Sequence, residues 1–281
     1  MNAPPGGAAR RRWVCCADDY AIDTGAIDGI ADLIERGRIT ATSALVDAPA
    51  WRGAARVLPA AAPQGRFELG LHLNLTQAFA GPALPTWPLG ELIGRCRLGL
   101  LPQAPVRGSV ERQLDAFEDA RGAPPHYVDG HQHVHQFAGV RDILVAALLR
   151  RYGSAAPWLR STRPPPAERS PKARFIGALG DRALRRLAAA SGLRTSAYLV
   201  GVYDFGGDSA AYEGRLRRWM QQGPDGSVLM CHPARAATDG DPIGTARRAE
   251  YAVIGSPAFV TALDAAGIDL VTGSALFRTA D

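Results

Sequence analysis

Cysteine is scarce in this chain, four residues in 281, and no two of them stand in a C-x-x-C spacing. That pattern argues against a disulfide framework and against a cysteine-ligated zinc site. Cys15, Cys16, Cys96 and Cys231 read as small buried hydrophobes, and adjacent Cys15 and Cys16 would face opposite sides of a strand. Long apolar runs are lacking too, so the expectation is a soluble, cytoplasmic protein with no membrane span. No strong excess of one charge is present: 32 basic residues stand against 27 acidic ones, a net charge of +5. The arginines are scattered or grouped on predicted helix faces, as at Arg150 and Arg151 or Arg182, Arg185 and Arg186. Solvated helix faces explain them, and no nucleic-acid partner is expected. The opening Met1 to Arg12, rich in Pro, Gly and Ala and closing on three arginines, has no apolar stretch of signal length after it. It reads as a flexible leader, with one domain over 13–281.

What is present is a core-sized supply of apolar residues, 47% of the chain, with 31 Gly and 21 Pro for connections. Trp13 to Ala17 forms a short apolar run ending in Asp18-Asp19, and Gly25 to Arg36 then carries Ile27, Ile30, Ala31 and Ile34 on one helical face. Strand and helix signals keep alternating: strands at Ile39–Val46, Phe67–His72, the histidine-rich run near 129, Trp158–Ser161, Ser196–Val200, Ser227–Cys231 and Asp269–Thr272. Helices are expected at 49–57, 110–121, 137–152, 173–190, 210–222 and 257–266. The Pro-rich stretch 81–106 and the segment 162–172 read as long loops shaping a pocket. About eight strands, nearly each followed by a helix, imply an α/β fold with a parallel sheet. Polar residues at the C-terminal ends of several different strands favour a distorted (β/α) TIM-like barrel over a doubly wound sheet.

Four of the six histidines fall between 126 and 135, in His126-Tyr-Val-Asp129-Gly-His131-Gln-His133-Val-His135. If this run is extended, Asp129, His131, His133 and His135 line one face, which reads first as a metal site. Asp18 and Asp19 are adjacent carboxylates at a strand end, so that one can hold a cation while the other stands toward the substrate. In Gly70-Leu-His-Leu-Asn-Leu-Thr76, the polar set His72, Asn74 and Thr76 alternates with leucines, as in a strand leaving a core into a site. His232 ends an apolar strand, which Pro233 stops. Arg160 and Asp204 also lie at strand ends. Trp87 and Trp158 suit either a sugar platform or the core.

Taken together, Ala17-Asp-Asp-Tyr20, Gly70–Thr76, Asp129-Gly-His-Gln-His-Val-His135 and Met230-Cys-His-Pro233 resemble the YdjC-like carbohydrate deacetylases, in that family's order along the chain. The resemblance implies removal of an N-acetyl group from an amino sugar, of the chito-oligosaccharide or lipid (hopanoid)-linked kind. It implies Asp19, His72 and His131 as ligands of one divalent metal ion, Asp18 as general base, and His232 as the acid that protonates the departing amine. Asn74, Asp129, His133, His135 and Arg160 would contact the substrate or support the ligands. A homodimer is implied as well. The family shows Phe-Gly after its two aspartates where this chain has Tyr20-Ala21, and the missing glycine bears on the turn.

The chemistry agrees with this set. Amide hydrolysis at neutral pH needs a nucleophile stronger than water, and a divalent cation lowers the pKa of bound water to about 7. One carboxylate and two imidazoles leave positions free on the ion. Nitrogen donors favour zinc, whereas the family is commonly described with magnesium. Two other readings compete: a barrel amidohydrolase or phosphoesterase, which would place His-x-His on the first strand, and a catalytically silent sugar-binding homologue, which would need no separate base and acid.

Overall fold

The computed structural model describes residues 9–61, 65–79 and 85–277. In chain order its elements are β1 (Arg11–Tyr20), α1 (Thr24–Glu35), β2 (Ala41–Ala44), α2 (Trp51–Ala61), β3 (Glu68–Leu73), α3 (Leu89–Arg97), α4 (Gln103–Arg121), β4 (Tyr127–Gly130), α5 (Val140–Tyr152), β5 (Trp158–Leu159), α6 (Pro171–Ala178), α7 (Asp181–Ala190), β6 (Tyr198–Val200), α8 (Ser209–Gln222), β7 (Ser227–Cys231), α9 (Gly244–Gly255), α10 (Pro257–Ala265), β8 (Ile268–Leu270) and α11 (Gly273–Leu276).

All strand pairs are parallel, and the order across the sheet is β5-β4-β3-β2-β1-β7-β6. A lone bridge joins Leu159 of β5 to Thr195 in the segment that leads into β6, while β8 pairs only with the start of β1. The sheet is therefore curled into the distorted barrel that the alternation of strands and helices implied. Alternating side chains give it two cores. Trp13, Cys15, Leu69, Leu71, Leu229 and Cys231 pack outward against helix residues such as Ile30 and Leu33. Val14, Cys16, Tyr127, Trp158, Val228 and Met230 fill the concave interior. Cys15 and Cys16 thus face opposite sides, and all four cysteines are free and buried. Trp158 stacks on Tyr127 at 4.4 Å between ring centroids, fully buried, which assigns it to the core and not to a sugar.

Helix starts follow local chemistry. Asp23 and Asp208 accept from the backbone N–H groups of Ala26 and Ala211, and Ser256 caps a helix whose first residue is Pro257. Several boundaries depart from expectation. Strand β1 begins at Arg11, inside the expected leader, and Arg10 pairs with Asp264 and Asp269; residues 1–8 lie outside the described residues. The stretch 81–106 contains α3 and the start of α4, and its residues 81–84 lie outside the described ones. One helix expected over 173–190 is two, divided at Gly180, where a Cβ would stand 2.1 Å from the Gln136 carbonyl oxygen. Helix α9 was not anticipated. No described helix is long and apolar enough to cross a membrane.

Candidate active site

The concave interior changes from apolar to polar at Cys16, whose Sγ lies 3.0 Å from the Tyr127 hydroxyl. Beyond this point the strand ends carry Asp18, Asp19, His72, Asp129, Arg160 and His232, all buried. On β1 the register against β2 slips between Ala17 and Tyr20, so that β1 carries one extra residue there. Such a bulge re-aims side chains. Asp19 stands at φ 63°, and the two neighbouring carboxylates part company as expected.

Asp19 Oδ1 lies 2.9 Å from His131 Nδ1 and 3.3 Å from His72 Nε2. The donor atoms of this trio lie within 4.8 Å of one another, a spacing that one ion can bridge. His72 is held in a fixed orientation because its Nδ1 bonds Asp129 Oδ1 at 2.6 Å, which turns Nε2 toward Asp19. Asp129 therefore orients His72. Burial alone would depress His72, but the Asp129 and Asp18 carboxylates overcome it and lift the imidazole to about 10. Three buried carboxylates, Asp18, Asp19 and Asp129, face two buried guanidiniums, Arg160 and Arg247, and the raised His72 is the imidazole whose proton a cation would displace. The site fits a cation on both counts, donor set and charge.

Asp18 is held from the other side. Arg160 donates from Nη1 to Oδ1 at 2.5 Å and from Nη2 to Oδ2 at 2.8 Å, and its Nη1 also lies 2.8 Å from Asp129 Oδ2. Burial would raise the Asp18 carboxyl, yet the Arg160 charge and hydrogen bonds hold it well below the usual carboxylate range. Arg160 is fully buried, and of the two roles expected for it, substrate contact or support, its contacts with Asp18 and Asp129 are those of support. Its guanidinium sits among Cys16, Asp18 and Asp129, the other acidic cluster of the interior, and already supplies that cluster with a cation. Removing it would leave buried charge unpaired, at a cost of about 3–5 kcal/mol.

The histidine run is not a strand face. Strand β4 stops at Gly130, and His131–Gln136 coils into a tight 3-10 segment kinked at Gln132 and His133, with φ of 51° and 62°. Gly130 permits the reversal: a Cβ there would stand 2.9 Å from the His135 backbone nitrogen. The three imidazoles consequently part. His131 turns to Asp19. His135 is buried with Nε2 2.8 Å from the Arg160 carbonyl oxygen, and burial followed by the Arg160 charge pushes it down to about 4. His133 stays partly exposed with Nδ1 buried and is lowered well below the ordinary imidazole value, by burial and then by Arg160. Asn74 lies just past the end of β3 at Leu73 and holds the following turn. Its Oδ1 accepts from the Thr76 and Gln77 N–H groups, and its Nδ2 donates to Asp47 Oδ2. Asp204 is exposed and pairs with Arg215. Thr76 and Trp87 are only partly buried.

His232 follows β7. Its backbone N–H donates to Glu250 Oε2, and Glu250 Oε1 accepts from the Tyr203 hydroxyl at 2.6 Å. The Phe205 ring meets the imidazole edge-on, 5.2 Å between centroids. Burial pushes His232 down to about 4 against the pull of Asp19 and Asp18, and lifts Glu250 to about 7 against its two hydrogen bonds. Among the described residues the non-glycine positions with positive φ are Asp19, Ala21, Gln132, His133 and Phe205. Asp19 lies in the last residues of β1, and the others follow the ends of β1, β4 and β6 that surround the site, as strained backbone tends to. Ala21 stands at φ 76°, in the left-handed region that favours glycine.

Arg247, Glu250, Tyr203 and Phe205 were not anticipated. Arg247 and Glu250 share one turn of α9, and Ala246, Ala249 and Val253 on its buried face carried the helical period that signals it.

Residues 12–265 match the YdjC-like protein family. A mouse (Mus musculus) protein named carbohydrate deacetylase is 32% identical over 255 residues, covering 80% of this chain and 78% of that one. A Serratia marcescens protein named chitooligosaccharide deacetylase is 28% identical over 225 residues, 78% and 79% of the two chains. Among solved structures, one from Enterococcus faecalis V583 superposes with a TM-score of 0.72 at 20% identity, covering 96% of this chain and all of that one, a likeness of fold.

Proposed function

We propose, from the premise that this chain belongs to the YdjC-like protein family, that it is a carbohydrate deacetylase acting on an N-acetylated amino sugar of the chito-oligosaccharide kind. The observation that carries the reading is the meeting of Asp19, His72 and His131 from three strand ends beside Asp18, with His232 near enough to feel both aspartates. Those three residues would hold a divalent ion, and their two nitrogen donors favour zinc. When bound, such an ion polarises the acetyl carbonyl and lowers the pKa of water.

The chain's own residues supply the rest. Asp18, kept ionised by Arg160, takes the proton of the attacking water. His232 is neutral at pH 7 when its value is about 4, so it delivers to the amine a proton acquired during the reaction. The C–N bond breaks, releasing acetate and the free amino sugar. Burial of the whole constellation excludes bulk water, which strengthens each of these interactions. The same reading includes a homodimer, checked by light scattering, and a cytoplasmic location, checked by cell fractionation.

Acetate release from N-acetylated mono- and oligosaccharides by zinc- or magnesium-loaded protein tests the proposal. Asp18→Asn should keep the ion yet lose turnover. Full activity of that variant would remove Asp18 as base, and absence of any bound divalent ion after reconstitution would remove the mechanism.

A further inference from the structure

A second buried guanidinium reaches the site from α9, and no step above uses it. Arg247 is 2% exposed. Its Nη2 donates to Asp19 Oδ2 at 2.8 Å, and its Nε donates to Asp241 Oδ2 at 2.7 Å. Asp241 is itself fixed by the Ile243 N–H on its Oδ1 at 3.0 Å, in the segment leading into α9. Asp19 is thereby divided between two neighbours: Oδ1 faces His131 and His72, and Oδ2 belongs to Arg247.

Carboxylates bind cations through one oxygen or through both. The geometry points to Arg247 as a positioning residue that restricts Asp19 to one donor oxygen and so sets how tightly the site grips its ion. This rests on the reading of Asp19, His72 and His131 as ion ligands. A guanidinium stays protonated at any working pH, so the restraint is permanent. Buried beside the carboxylate, its charge subtracts from the pull of Asp19 on a cation. The planar fork, anchored by Asp241 through Nε, presents Nη2 to Asp19 in one orientation. A strongly electrophilic ion is one whose ligands leave its charge incompletely neutralised, and Arg247 keeps Asp19 from neutralising it further.

The sign of the effect separates this role from a merely structural one. An arginine that only held the fold together would, when removed, weaken ion binding and turnover alike. Arg247→Gln should instead bind zinc more tightly, by roughly tenfold or more for one unit charge lost at contact range. Its kcat on an N-acetylated amino sugar should fall with KM little changed. Arg247→Lys, which keeps the charge, should return the zinc affinity toward the wild-type value. Zinc affinity measured by chelator competition, with zinc alone, gives the decisive number: equal or weaker binding by Arg247→Gln overturns the proposal. A crystal structure of the zinc-loaded wild-type protein tests it without any variant. Asp19 Oδ1 on zinc with Oδ2 on Arg247 is expected, and both oxygens on zinc would overturn it. If wild-type protein takes up no zinc, the ion reading itself falls and this role falls with it; if it does and the variant is unchanged, only the role of Arg247 is lost.

Discussion

Where Asp19, His72 and His131 meet, the partners are charged: Asp129 behind His72, Arg247 behind Asp19, Arg160 behind Asp18. Around His232 they are a buried Glu250 raised to about 7, a tyrosine hydroxyl and an aromatic edge. The first wall is tuned by ion pairs and the second by desolvation. That difference suits the tasks proposed for them, since a cation is bound by fixed negative charge whereas a proton donor must change charge within one turnover.

The largest change should come from the charged wall. Asp129→Asn replaces the carboxylate that orients His72 with a neutral amide, and should weaken zinc binding about 10–100-fold. Chelator competition would show it, and an unchanged affinity would mean that His72 is oriented by Ser43, whose Oγ is 3.1 Å from the same nitrogen.

The desolvated wall should instead appear in stability against pH. Burial lifts Glu250 from 4.5 to about 7. Between those values the folded protein keeps a proton that the unfolded chain has released, so stability contributed at low pH is lost as pH rises. The slope is about 1.4 kcal/mol per pH unit, roughly 3 kcal/mol across the interval, and flat above it. Glu250→Gln should abolish that fall while keeping both hydrogen-bond contacts. Urea unfolding of both proteins at pH 4.5 and 7 gives the difference, and parallel pH profiles would contradict a raised Glu250.

The smallest effect belongs to the turn after β1. Ala21→Gly relieves a left-handed backbone worth about 1–2 kcal/mol, but loses a buried methyl of about 0.8 kcal/mol and gains unfolded-state freedom of about 0.4–1 kcal/mol. The net should stay within about 1 kcal/mol by thermal unfolding, with activity kept. A larger loss would show that the Ala21 side chain, and not the turn alone, supports Asp19.

Much of the fold was legible because burial alternates locally. Cys15 and Cys16 part as a strand requires, and Leu69, Leu71 and Leu73 face the helices while His72 faces the interior. The same rule misled at 129–135, where alternation was extended past Gly130 into a segment that coils. The division of 173–190 at Gly180 depended on a close approach to Gln136, a residue from another element. Helix α9 carried its period in small alanines, a weak signal beside the isoleucine face of α1. Its absence from the expected elements hid Arg247 and Glu250.

By itself the sequence determined the alternation of strands and helices, the barrel that follows, and the supply of carboxylates and imidazoles at strand ends, since each of these depends on residues close together in the chain. Tertiary structure alone decided which imidazole turns to Asp19, that Arg160 lies beneath Asp18, and that Arg247 claims the second oxygen of Asp19. Those contacts join residues 112, 142 and 228 positions apart. Local propensity carries no information across such distances; closure of the curled sheet creates the neighbourhood in which they meet.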